Sequence, residues 1–137
     1  MDSRPPSSEK ERPVSNREVP GSSPGEGSTF WHYIVVRREL TGGALLAQVL
    51  HASADSLKMH LDRGGLYPQD ARGVVLVATK EQLADLGVKL ATLGQFFHVV
   101  TETDGPLAGS TTAIALITSD RETLRPALGH LRPWRAA

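Results

Sequence analysis

Gly73 to Ala78 reads Gly-Val-Val-Leu-Val-Ala, a continuous apolar run with no polar residue on either alternating face. A strand of this kind has to be covered on both sides, which a half-solvated antiparallel sheet cannot provide. The run therefore points to an α/β chain with helices packed on its sheet. Three other stretches have strand composition. Trp31 to Arg38 is aromatic and β-branched, Phe96 to Thr101 is Phe-Phe-His-Val-Val-Thr, and Thr112 to Thr118 is Thr-Ala-Ile-Ala-Leu-Ile-Thr.

Helical patterns fill the gaps between these runs. After a polar turn, Glu39 to Gly43, the spacing of Leu46, Val49, Leu50, Leu57 and Leu61 describes one face of a helix that reaches about Asp62. Arg63-Gly64-Gly65 ends it, and Leu66 to Arg72 is a loop. Thr79-Lys80-Glu81-Gln82 has the form of a capping box. It opens a second helix with a Leu83, Leu86, Leu90, Leu93 stripe and Gly94 just past its end. Ser119-Asp120-Arg121-Glu122 has the same form and starts a short last helix that Pro126 kinks or ends. The expected order is β-α-β-α-β-β-α, a small mixed four-stranded sheet with helices packed on it.

The domain occupies residues 30–137. Residues 1–29 hold five Pro, three Gly and seven Ser, with Val14 and Val19 as the only branched aliphatics, so they are expected to be a disordered tail. The tail has no apolar core of a secretory signal, and its acids argue against a mitochondrial presequence. With no cysteine, disulfide and thiol chemistry are excluded and a cytoplasmic address follows. No apolar run is long enough to span a membrane. Domain charge is nearly balanced, so there is no global pull toward nucleic acid, although the basic residues are unevenly placed.

Few residues suggest chemistry. The chain lacks a P-loop, a GxGxxG and a GxSxG, and its five histidines lack metal-ligand spacing, so neither metal nor cofactor is expected. Three features stand out. Arg37-Arg38 precede Gly42-Gly43 at a helix start, where free amide groups suit a phosphate as readily as they suit an ordinary tight turn. Gln48 and His51 lie on adjacent positions of the first helix, where a histidine serves a site or simply bonds within the fold. Glu102 begins a loop rich in hydroxyls and glycine that runs to Thr112.

In this order the features resemble the peptidyl-tRNA hydrolases of the second class, the type typical of archaea and eukaryotes, and more closely their short, divergent relatives. The family's V-V-R-x-D-L is matched by Val35-Val36-Arg37-Arg38-Glu39-Leu40. Its K-x-A-A-Q-x-x-H-A-A helix is matched by Leu46-Ala47-Gln48-Val49-Leu50-His51-Ala52. Glu102 stands for its loop carboxylate, Gly109-Ser110-Thr111-Thr112 for its G-S-x-T, and Gly129-His130-Leu131 for its G-H-L ending. The resemblance spans residues 31–134. It implies hydrolysis of the ester joining a peptide to the terminal ribose of tRNA, with Glu102, Thr112 and His51 catalytic. It places Arg37, Arg38, Gly43, Gln48, Asp104, Ser110 and Thr111 on the substrate, the acceptor end of peptidyl-tRNA, and leaves a homodimer possible. The family's lysine, four residues before its glutamine, is Ala44 here. Two other readings therefore stand beside the hydrolase: a non-catalytic module binding tRNA or protein, and hydrolysis of a different small acyl substrate.

Overall fold

The computed structural model describes residues 29–103 and 105–135. The expected tail thus lies almost wholly outside the described residues, as does Asp104. The elements are β1 (Trp31–Arg37), α1 (Gly42–Asp62), β2 (Arg72–Ala78), α2 (Lys80–Thr92), β3 (His98–Thr101), β4 (Thr111–Thr118), α3 (Arg121–Leu128) and β5 (Arg132–Pro133). They form one mixed sheet in the order β3-β4-β1-β2-β5. β1 and β2 run parallel, as an intervening helix requires, and the other pairs are antiparallel.

The α/β class and the order of the first seven elements match the expectation, but the sheet has five strands rather than four. β5 pairs Leu76 with Pro133 and Val77 with Arg132. Two residues show no alternation, and a proline argues against a central strand. An edge position tolerates both.

Alternation along β1 splits the core into two layers. Tyr33 and Val35 face α2 and α3, packing with Leu76, Leu83, Leu86, Leu90, Leu116 and Leu124. Ile34 and Val36 face α1, where they meet Leu45, Ala52, Ala113 and Ala115. A strand buried on both faces explains why neither Trp31 to Arg37 nor Gly73 to Ala78 alternates in hydrophobicity.

α1 buries a different face from the leucine stripe. Its buried residues are Leu45, Gln48, Ala52 and Ser56, whereas Leu46 and Leu50 are 65% and 68% exposed. The helix lies over the two alanines of β4, and that close approach admits small side chains and excludes long ones. α2 follows its pattern: Thr79 Oγ1 accepts the Gln82 N–H, Gln82 Oε1 accepts the Thr79 N–H, and Gly94 takes a positive φ after the last turn. On α3 the cap is Asp120, one residue later than expected, and its carboxylate accepts the Thr123 N–H. Pro126 sits inside α3, which ends two residues later. No helix among the described residues is long and apolar enough to cross a membrane.

Candidate functional site

β1, β2 and β3 all point the same way, because β1 and β3 each pair antiparallel with β4 and β2 runs parallel to β1. Their carboxyl ends and the start of β4 therefore share one rim of the sheet. Glu102 lies there, one residue beyond β3, and Thr112 is the second residue of β4. Gln48 reaches them from α1.

The three side chains form a hydrogen-bonded chain. Gln48 Nε2 donates to Glu102 Oε2 at 3.0 Å, and Thr112 Oγ1 donates to Gln48 Oε1 at 3.1 Å. The direction of each bond follows from the carboxylate. An ionised Glu102 only accepts, so the Gln48 amide must turn its NH2 toward it and its oxygen toward Thr112. That leaves the Thr112 hydroxyl to donate. The second oxygen of Glu102 accepts the Thr103 N–H at 3.1 Å. Backbone bonds pin the loop to itself, from Glu102 N to Ser110 O and from Gly109 N to Glu102 O. Among the described residues each carboxylate oxygen thus accepts one bond and keeps a lone pair free while its position is fixed.

Burial divides the roles. Gln48 is 6% exposed and Thr112 is fully buried, whereas Glu102 is half-buried and accessible. Thr112 is therefore a support beneath Gln48 and not a group that meets substrate. His51 is exposed on α1 three residues past Gln48, and among the described residues its side chain makes no hydrogen bond. Ala44 lies one turn before Gln48 and is also exposed. The same column of α1 continues to Asp55, whose carboxylate lies 3.2 Å from His98 Nε2 on β3. Asp55 is seven residues, or two turns, past Gln48, a spacing visible in the sequence but without a partner to give it meaning.

Among the described residues, the side chains of the other expected site residues make no hydrogen bond to this chain. Arg37 is 5% exposed; its Nε donates to Glu39 at 3.0 Å and its guanidinium also reaches the Thr111 carbonyl at 3.4 Å. Its guanidinium is taken up within the fold, and only Arg38 of the pair faces solvent. The Arg37 contact holds the Glu39 carboxyl below its ordinary pKa. Gly43 lies in the first turn of α1, whose N-cap residue Thr41 makes no side-chain cap bond. Ser110 and Thr111 line a cleft of about 580 Å³ with Val88, Val99 and Ile114 on the α2 side of the sheet. Alternation explains the separation, since Thr111 and Thr112 must face opposite ways.

A second group of polar residues lies beneath α1. His32 Nε2 is 2.6 Å from Ser56 Oγ, and the Ser56 hydroxyl is also 2.7 Å from the Ala52 carbonyl. Burial, and then the nearby His60, lowers the His32 pKa. Ser56 is fully buried, so this pair is structural. Among the described residues no three His, Cys, Asp or Glu side chains cluster as metal ligands.

No family model matches the chain, and no curated protein matches it. Among solved structures the chain is similar to a protein of unknown function from Agrobacterium tumefaciens strain C58, with a TM-score of 0.58 and 12% sequence identity. The match covers 77% of this chain and 98% of that one, and at this identity it shows a shared fold.

Proposed function

We propose that the chain hydrolyses the ester bond of peptidyl-tRNA at Glu102. The observation that carries this reading is the Glu102–Gln48–Thr112 chain, which joins the loop after β3 to α1 and β4 and holds one accessible carboxylate in a fixed orientation. In the proposed step Glu102 accepts a proton from a water as its oxygen attacks the acyl carbon. The carbonyl π electrons move onto oxygen, return as the bond to the ribose oxygen breaks, and that oxygen leaves with the proton. The products are a free peptide carboxyl and tRNA with its terminal hydroxyl restored. Gln48 is a positioning residue, and His51 is the donor available to the oxyanion or to the leaving oxygen. Arg38 is the open cation for backbone phosphates.

Ala44 favours a second reading. A lysine at this position would reach along the exposed side of α1 toward Glu102, and without it the site lacks a charge that can stabilise the transition state. The same surface would then bind tRNA or protein without turnover. One assay separates the two: release of tRNA from an N-acylated aminoacyl-tRNA by the purified protein. The hydrolase reading expects release that falls by roughly 100-fold in Glu102→Gln, on the scale of a lost general base. Release equal in both proteins would remove Glu102 from the reaction. Binding without release would establish the second reading.

A further inference from the structure

On the same rim, at the far side from Glu102, lies a cleft of about 460 Å³ lined by Arg38, Thr79, Gln82, His130 and Arg132. Two separate segments bring its basic groups together. Arg38 follows β1 directly, and its N–H donates to the Ala78 carbonyl at 3.0 Å, which holds it beside the end of β2. His130 and Arg132 flank Leu131, which is buried in the core, so its two neighbours are turned out to solvent. Among the described residues none of the three basic side chains forms an ion pair or a side-chain hydrogen bond. Glu39, the acid next to Arg38, is already committed to Arg37. Glu81 stands exposed in the first turn of α2 but does not line the cleft. Two guanidinium groups therefore converge with an imidazole on a concave site without a counter-charge among the described residues. Planar guanidinium forks suit the paired oxygens of a phosphate.

Position argues for a phosphate that belongs to a long ligand. Three strand spacings separate β3 from β2, roughly 14 Å at the usual interval between strands. A nucleic-acid strand rises about 3.4 Å per phosphate, so the span is that of about four stacked nucleotides. We infer that the Arg38–His130–Arg132 cleft seats a backbone phosphate of an RNA about four nucleotides from the 3′ end whose ester lies at Glu102. This inference rests on the hydrolase reading for the position of that ester, while the seat itself is a matter of binding.

The test is fluorescence anisotropy with a labelled RNA hairpin bearing a four-nucleotide 3′ single strand, using the full chain. Arg38→Gln with Arg132→Gln is expected to weaken binding at least 10-fold and to reduce the dependence of log affinity on log salt by about 1. Both side chains are exposed, so the melting temperature of the double variant should match the wild type. Lys58→Gln, which alters an exposed pair with Asp62, should leave binding unchanged. A blunt hairpin should bind the wild type more weakly, and the double variant should lose that preference. Equal affinity of wild type and double variant for the RNA would overturn the inference. Arg-dependent binding of a nucleoside monophosphate as tight as that of the hairpin would also overturn it, in favour of a small-phosphate site. The ester assay keeps the two ideas apart. Arg-dependent RNA binding without tRNA release retains the seat and removes the hydrolase; release with an unchanged KM in the double variant removes the seat and retains the hydrolase.

Discussion

Thr112 has no exposed surface and one hydroxyl proton, which it spends on Gln48. Replacing it by valine keeps the shape but leaves the buried Gln48 oxygen without its donor. Thr112→Val should therefore lose about 1–3 kcal/mol of stability in chemical denaturation. If turnover is present, kcat should fall with KM unchanged, and Thr112→Ser should restore both properties. Equal stability of the valine variant would show that the Gln48 amide is not held from below. Arg37 is a second residue whose place is internal. Arg37→Ala should cost about 1–3 kcal/mol, because it removes a buried guanidinium and its bond to the Thr111 carbonyl, whereas Arg38→Ala should leave stability within about 0.5 kcal/mol. Gln48, Glu102 and Thr112 were readable as candidates from their order along the chain, but their bonds to one another were not. Arg37 and Arg38 look alike in sequence, and only the point where β1 leaves the sheet decides which is buried.

Among the elements, α1 shows how packing overrides a hydrophobic pattern. Its leucines outweigh its alanines on any hydrophobicity scale, so Leu46 and Leu50 were expected inside, yet both are largely exposed. Depth is decided by the surface underneath, and β4 presents Ala113 and Ala115 there. Leu50→Lys should thus change stability by no more than about 0.5 kcal/mol, while Ala52→Leu should cost about 1–3 kcal/mol by overpacking. A larger loss for Leu50→Lys than for Ala52→Leu would place the buried face of α1 where the leucines are. Helix starts and ends were legible where chemistry marks them, as at Thr79, Gln82, Gly94 and Pro126. β5 was not legible, since a two-residue edge strand carries no periodic signal.

At the scale of the whole molecule, the sheet gathers the Glu102 carboxylate and the Arg38 cleft on one rim, while the His32–Ser56 pair lies under α1. His32 is the clearest case of such burial, with its pKa lowered by desolvation and then by His60. Its folded pKa lies below the unfolded value, so the unfolded chain binds the proton first as pH falls. The stability associated with neutral His32 is complete above about pH 6.5 and is lost as pH drops through the folded pKa. The melting temperature should fall between pH 7.5 and 5.5, and His32→Gln should flatten that fall. An equal slope in wild type and variant would assign the effect to other groups.

The most direct test of the Glu102 site uses the neighbour that the family resemblance expects to be a lysine. Ala44 is exposed one turn before Gln48, whose amide bonds Glu102, so Ala44→Lys adds a cation to this part of α1 without disturbing the core. Release of tRNA from an N-acylated aminoacyl-tRNA should rise by roughly tenfold in Ala44→Lys, the scale of one added charge interaction. The rise should vanish in Ala44→Lys with Glu102→Gln, because groups acting on one transition state are not additive. An equal gain with and without Glu102, or no release by either the wild type or Ala44→Lys while RNA still binds, would contradict the account.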